Sequence, residues 1–105
     1  MANNYLLVFH GGSMPENPDE TAKVMQAWTD WFGTLGDKLV DAGNPVSHVK
    51  TIASNGSVSD GGTNPSSGYS IIKADDLDAA VGLAKGCPVL EGGASVEVAE
   101  ILAIM

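Results

Sequence analysis

The last third of the chain, residues 68–101, constrains the fold more than any other part of the sequence, because several structural signals follow one another there. Residues 69–72 include an apolar run that predicts a strand, and the carboxylates within residues 74–78 predict the start of a helix. This helix is predicted to end at the Gly-Cys-Pro sequence of residues 86–88. After a Gly-Gly pair, residues 95–101 alternate polar and apolar side chains, as a strand with one buried face does.

A strand followed by a long helix is predicted nearer the start of the chain. Residues 5–9 are apolar on both faces, which suits a strand that is covered on both sides. After a loop, Asn17 or Asp19 can cap a helix that the pattern extends to Val40. The apolar stripe of this helix recurs at steps of three and four and consists of Met25, Trp28, Phe32, Leu35 and Leu39.

The middle of the chain predicts the remaining strand pairing. Gly43 is the predicted stop signal of the long helix, and residues 46–53 form the predicted second strand. The pair Asn55-Gly56 predicts a two-residue hairpin turn, after which residues 57–59 return toward a polar loop. Residues 1–105 are therefore expected to form a single α+β domain, a ferredoxin-like βαββαβ antiparallel sheet with two helices on one face.

The other face of this sheet is expected to be covered by a second subunit. If water covered it, every strand would alternate cleanly, and residues 5–9 do not. The sequence therefore predicts a homodimer.

Charge and cysteine content exclude several classes of protein. The chain has 13 acidic residues against 5 lysines and no arginine, for a formal charge of −8. This balance argues against nucleic-acid and anionic membrane partners, because phosphate binding needs clustered basic residues. Cys87 is the only cysteine, so an intramolecular disulfide is impossible and we expect it to be a small packing residue. Without a basic leader or a long apolar run near the N-terminus, a cytoplasmic location is expected.

Short motifs spread along the chain carry a resemblance to a known family, and they occur in the order Tyr5-Leu6-Leu7-Val8, Asp60-Gly61, Gly68-Tyr69, residues 74–80, Cys87-Pro88, Gly92-Gly93 and Val96-Glu97-Val98. In these motifs the chain resembles the YCII-related family, in particular its DGPF branch. The resemblance spans nearly the whole chain. It implies a small ferredoxin-like protein that pairs through its sheet into a dimeric α/β barrel.

The sequence departs from this family at two places. Where the name motif continues with proline and phenylalanine, this chain has Gly62-Thr63. Better-studied relatives pair a histidine on the first helix with an aspartate near its end. Asp41 matches the position of that aspartate, whereas the segment from Asp19 to Val40 contains no histidine.

His10 is the main candidate for acid/base chemistry. It ends the first predicted strand and precedes a glycine pair, where the backbone permits close approach of a ligand. Asp60 or Glu97 is the expected carboxylate partner, and Tyr69 the expected donor to a developing oxyanion. The alternative for His10 is a strand-end histidine bonded to a backbone carbonyl.

A second set of side chains is predicted to contact a ligand. The set includes aromatic side chains that are expected to lie between the sheet and the helices. One of them, Trp31, lies beside the helix stripe and either closes the core or reaches a neighbouring surface. His48 is placed on the second predicted strand and is otherwise an exposed or dimer-facing histidine. No metal site and no cofactor are predicted, because the ligand spacings and the glycine-rich fingerprints are missing. The predicted ligand-binding residues are Phe9, Trp31, His48 and Glu97.

Two functions remain in competition. The first is a small homodimeric protein that binds an apolar or weakly polar organic molecule in the cleft between the sheet and its partner. The second is a cofactor-free enzyme, an isomerase, lyase or hydrolase, that uses His10 with a carboxylate for proton transfer.

Overall fold

The computed structural model describes residues 3–11, 17–61 and 65–102, which form an α+β structure with two helices. The elements in chain order are β1 (Asn3–His10), α1 (Pro18–Leu35), β2 (Leu39–Pro45), β3 (Lys50–Ile52), β4 (Val58–Asp60), β5 (Ser66–Ala74), α2 (Leu77–Ala84) and β6 (Ser95–Glu100). Short 3₁₀ turns follow the two helices at Gly36–Lys38 and Pro88–Gly92.

Four strands form one sheet in the order β2-β5-β1-β6, and every neighbouring pair is antiparallel. β3 and β4 form a separate two-stranded hairpin. The helices lie in the connections from β1 to β2 and from β5 to β6. This arrangement confirms the predicted α+β class and is consistent with a ferredoxin-like fold.

The hydrophobic core lies on one face of the sheet. In β1, Tyr5, Leu7 and Phe9 are buried, whereas Leu6 and Val8 point to the other face and are half-buried. Both helices contribute to the same core, which fixes the face that they cover. The buried residues of this core are Tyr5, Leu7, Phe9, Trp31, Leu35, Ile72, Ala74, Ala80, Ala84 and Cys87.

Helix α1 begins at an asparagine cap and buries only its C-terminal part. The side chain of Asn17 accepts a hydrogen bond from the backbone N–H of Glu20 at 2.8 Å, so Asn17 is the cap of the two candidates. Met25 is 62% exposed, which makes its place in the predicted stripe wrong. Trp31 closes the core, and its indole N–H donates to the Leu83 carbonyl at 3.2 Å.

The prediction that α1 extends to Val40 is wrong. The helix ends at Leu35, and Gly36 follows with a φ of 53°, which favours glycine. Leu39 already belongs to β2, where it pairs with Ile72 and packs against the core. Leu39 continues the spacing of the helix stripe although it lies in a strand. It is apolar because the strand and the helix bury their side chains in the same core.

The second strand of the main sheet is β2, and the prediction that placed it at residues 46–53 is wrong. Residues 46–49 have no strand structure, and residues 50–52 pair only with β4. The β-branched side chains of this segment favour a strand, but they fit a local hairpin as well as a strand of the main sheet. His48 therefore lies outside any strand, contrary to prediction.

The hairpin predicted at Asn55-Gly56 is present, but its turn is longer than expected. The Ala53 N–H donates to the Ser57 carbonyl at 2.7 Å, and the Gly56 N–H donates to the Ala53 carbonyl at 2.8 Å. Three residues thus form the loop, and Gly56 takes a φ of 92° in its last position.

The predictions for the last third of the chain are confirmed in outline. β5 contains the predicted apolar run, and the Asp76 side chain caps α2 by accepting from the Ala79 N–H at 2.8 Å. In β6, Val96 and Val98 pack against the core, as the alternating pattern predicts. The helix ends at Ala84 with Lys85 as its C-cap, immediately before the predicted stop at residues 86–88.

Gly43 is a close-approach point between β2 and β5 and does not end a helix. Its φ is 73°, and a Cβ built on it would lie 1.7 Å from the Tyr69 carbonyl oxygen. The register between β2 and β5 shifts on both sides of Asp41, and the Gly43 N–H donates to the Asp41 carboxylate at 2.8 Å. Glycine is needed here for both conformation and space.

Gly43→Ala should lower the free energy of unfolding by about 3 kcal/mol or more, because backbone strain and a backbone clash add together. Gly56→Ala is the matched control, since Gly56 also has a positive φ but no described atom lies within 4 Å of a built Cβ. It should cost about 1–2 kcal/mol. Urea unfolding measures both losses, and equal losses would contradict a steric role for Gly43.

Candidate functional site

His10 and Glu97 are brought together from opposite ends of the chain. His10 ends β1, and Glu97 lies on the neighbouring β6, opposite Val8. This diagonal relation places both side chains on the same face of the sheet. His10 Nε2 lies 3.2 Å from Glu97 Oε1, with the two side chains 12% and 65% exposed. The pair therefore has one shielded member and one that water reaches.

The face that carries this pair is the sheet face that neither α1 nor α2 covers, and we call it the open face. Its middle is apolar, because directly paired residues of β1, β5 and β6 share it. Polar side chains line its borders, with Asp41 and Asn44 on β2 and Lys73 at the end of β5 away from His10. Its half-buried apolar residues are Leu6, Val8, Tyr69, Ile71 and Ala99.

Tyr69 stands beside the His10–Glu97 pair on the open face. It pairs with Val8, so its position is diagonal to His10 from the β5 side, as Glu97 is from the β6 side. The structure thus brings three predicted site residues to one end of the open face. The apolar residues between them were missed as site residues, although the two-sided apolar run of β1 was the signal for them.

The other predicted acid, Asp60, has a different partner. Its carboxylate contacts the Lys50 ammonium at the base of the hairpin, and both side chains are largely exposed. His48 is exposed close by and borders a shallow depression that includes Lys50, Asp60 and Ser66. Among the described residues, Glu97 is the carboxylate that meets His10.

Phe9 and Trp31 lie behind the sheet, on its helix side. Phe9 packs on Trp28 with ring centroids 5.5 Å apart, and Trp28 packs on Trp31 at 5.6 Å. Both predicted ligand residues are buried in the core, on the face opposite His10. The edge of Trp31 also borders a shallow depression beside Pro88.

In residues 3–11, 17–61 and 65–102, no group of three His, Cys, Asp or Glu side chains is arranged to hold a metal ion. Neither of the described helices is long and apolar enough to cross a bilayer.

Cys87 is a buried thiol in the core. It is 2% exposed, which agrees with the packing role expected from the sequence. Desolvation raises its pKa from 9.0 to about 11, while a hydrogen bond with the Val89 backbone acts weakly in the opposite direction. The thiol is therefore protonated and a poor nucleophile at neutral pH.

The raised pKa of Cys87 predicts a loss of stability in alkali. Between about pH 9 and pH 11 the unfolded thiol ionises while the folded thiol stays protonated, so the free energy of unfolding falls as pH rises. Raising the pH from about 7.5 to 10.5 should lower the free energy of unfolding by about 2 kcal/mol through this thiol, and Cys87→Ala should abolish that loss. Urea unfolding of both proteins at the two pH values measures it. An identical pH dependence in the two proteins would contradict the shift.

No protein-family model matches the sequence of this chain, and no curated protein matches it either. The YCII-related resemblance stays a prediction, and one of its two departures, at Gly62-Thr63, lies outside the described residues.

Proposed function

We propose that the protein is a homodimer that pairs its open faces and binds a small organic molecule in the cleft between them. The observation that carries this proposal is the His10–Glu97 contact of 3.2 Å on a sheet face whose centre is apolar. A polar pair beside an apolar surface is the composition of a small-molecule site, in which a few polar groups orient a largely apolar ligand.

Support for the dimer comes from the apolar centre of the open face. Leu6, Val8 and Ile71 form a continuous row across β1 and β5 that no described helix covers. A contiguous apolar surface of this kind on a small protein is a feature of interaction sites. In a two-fold dimer the apolar surface of each subunit packs against the same surface of its partner, so one contact covers both copies.

Support for the ligand class comes from charge. The chain has no arginine, and the open face carries Glu97 and Asp41, whereas its lysine, Lys73, lies opposite Asn4 at the end away from His10. An anionic ligand beside His10 therefore meets repulsion and no bidentate clamp. His10 and Tyr69 supply hydrogen bonds to a neutral polar group. We therefore propose an uncharged or weakly polar organic ligand.

The family and location proposals rest on the order of the sequence motifs, the strand order and the buried thiol. The order of the motifs and the strand order β2-β5-β1-β6 support a YCII-like protein of the dimeric α/β-barrel type. A single thiol held in the core supports a cytoplasmic location, where disulfides are rare. The scarcity of basic residues supports partners other than nucleic acid.

Val8→Lys should convert the dimer to a monomer, because it places a charge in the centre of the proposed interface. Val24→Lys is the matched control, since Val24 is an exposed valine on α1. Sedimentation velocity at about 10 µM, with circular dichroism to confirm folding, separates the two. A monomeric wild-type protein would contradict the dimer, as would a folded Val8→Lys protein that still sediments as a dimer.

A cofactor-free enzyme is the second candidate, and the same contact favours it. In this scheme His10 is the base, Glu97 orients it or supplies a proton, and Tyr69 donates a hydrogen bond to a developing oxyanion. Asp60, the other carboxylate predicted for this role, contacts Lys50 instead. The reaction would be an isomerisation, elimination or hydrolysis driven by proton transfer.

His10→Gln and His48→Gln together distinguish these functions. The neutral probe N-phenyl-1-naphthylamine should bind the wild-type dimer saturably and shift the NMR signals of the His10 ring, whereas those of exposed His48 stay unchanged. For a binding protein, His10→Gln should alter probe affinity modestly, because one hydrogen bond changes. For an enzyme, His10→Gln should slow deuterium exchange into cyclohexanone by about 100-fold or more relative to His48→Gln. A wild-type protein that neither binds the probe nor catalyses exchange would contradict both.

A further inference from the structure

Strand pairing divides the open face into four rows that run across the strands, about 7 Å apart along each strand. The members of a row are direct cross-strand partners, so their side chains share the face. Counted from the His10 end, the rows consist of Ser95, His10 and Ser66; of Glu97, Val8 and Tyr69; of Ala99, Leu6 and Ile71; and of Asn4 and Lys73. The first row and both flanks of the second are polar, whereas the third row is apolar.

Ser66 lies opposite His10 because β5 contains a bulge at this point. The register between β1 and β5 shifts between Phe9 and His10, which makes Ser67 the extra residue and gives Ser66 the place beside His10. The Ser67 carbonyl accepts a hydrogen bond from the Val46 N–H at 3.0 Å, which fixes the bulge to the segment after β2. A serine therefore flanks His10 on each neighbouring strand, with Ser95 on the β6 side.

The polar groups at this end of the open face both donate and accept hydrogen bonds. Serine and tyrosine hydroxyls do both, the Glu97 carboxylate accepts, and Asn44, opposite Tyr69 on β2, adds an amide. The lysine of the open face, Lys73, is three rows from His10, about 20 Å along the strands. Ligand hydroxyls match this mixed set, because each hydroxyl also donates and accepts, whereas an anionic group would face Glu97 without a nearby cation.

The third row supplies an apolar surface directly beside these polar groups. Leu6, Ile71 and Ala99 are half-buried there, and the next row ends the apolar surface with Asn4 and Lys73. The distance from the second row to the fourth is about 14 Å. A short hydrocarbon chain fits this length, and its contact with the third row removes apolar surface from water.

We propose that the cleft binds an amphipathic molecule lengthwise, with a neutral polyhydroxylated head at Ser66, His10 and Ser95 and a short hydrocarbon tail over Leu6 and Ile71. This inference rests on the proposed function, because the cleft forms between two open faces. An alkyl glycoside has this composition, and hexyl β-D-glucoside is a soluble representative.

A series of four ligands tests the head and the tail separately. Hexyl β-D-glucoside should displace N-phenyl-1-naphthylamine at a concentration about tenfold or more below that of 1-hexanol, methyl β-D-glucoside or sodium hexanoate. In ¹⁵N NMR spectra it should shift the amides of Ser66, His10 and Ser95. Binding of the naphthylamine with no preference for hexyl glucoside over 1-hexanol would overturn this inference and leave the proposed function standing. A protein that binds none of these compounds would overturn both.

Removal of the two serine hydroxyls gives a second readout. Ser66→Ala combined with Ser95→Ala should weaken binding of hexyl glucoside by about tenfold and leave binding of 1-hexanol unchanged. Ser54→Ala combined with Ser59→Ala, at exposed serines of the β3–β4 hairpin, is the matched control and should change neither. Equal losses for hexyl glucoside and 1-hexanol would overturn the placement of the head at these serines. Tighter binding of hexanoate, with shifts at Asn4 and Lys73, would place the head at the opposite end and overturn it as well.

Discussion

The structure depends on the burial of one sheet face against two helices. Leu7 and Ile72 are completely buried at the centre of that face, and Trp31 closes it from α1. The one buried polar side chain of the described core, Ser70, donates to the Ala42 carbonyl at 2.7 Å, so its burial leaves no unpaired hydroxyl. This core holds the strands in register and thereby decides which side chains meet on the other face.

The chemistry of the open face follows from that register. No sequence motif links His10 with Glu97, which are 87 positions apart. They meet because Glu97 lies opposite Val8, next to His10 along β1, and because strand alternation points the side chains of His10 and Glu97 away from the core. Phe9 and Trp31, the aromatic residues that the sequence suggested for ligand binding, are buried in the core instead. A one-residue difference in position along β1 separates Phe9, a packing residue, from His10, a candidate site residue.

The parts of the fold that were predictable carry their own local signals. α2 has a carboxylate cap and buries Ala80 and Ala84, one helical turn apart, and β6 alternates cleanly. The end of α1 was not predictable by the same means, because Leu39 continues the helical spacing from within a strand. Gly43 misled for a related reason, since glycine marks both helix ends and close approaches of strands. For the site, the sequence offered Asp60 and Glu97 equally, and only the strand pairing distinguishes them.

The two proposals rest on one physical situation, a sheet with one face filled by its own helices and the other covered by a second copy. Hydroxyl-radical footprinting as a function of protein concentration tests this claim most directly. Tyr69 lies half-buried on the open face, Tyr5 is 1% exposed in the core, and Met25 is exposed on α1. The account predicts that oxidation of Tyr69 falls as concentration rises from about 1 to 100 µM, while Tyr5 stays protected and Met25 stays reactive. An oxidation rate of Tyr69 that remains high and constant across this range would contradict it.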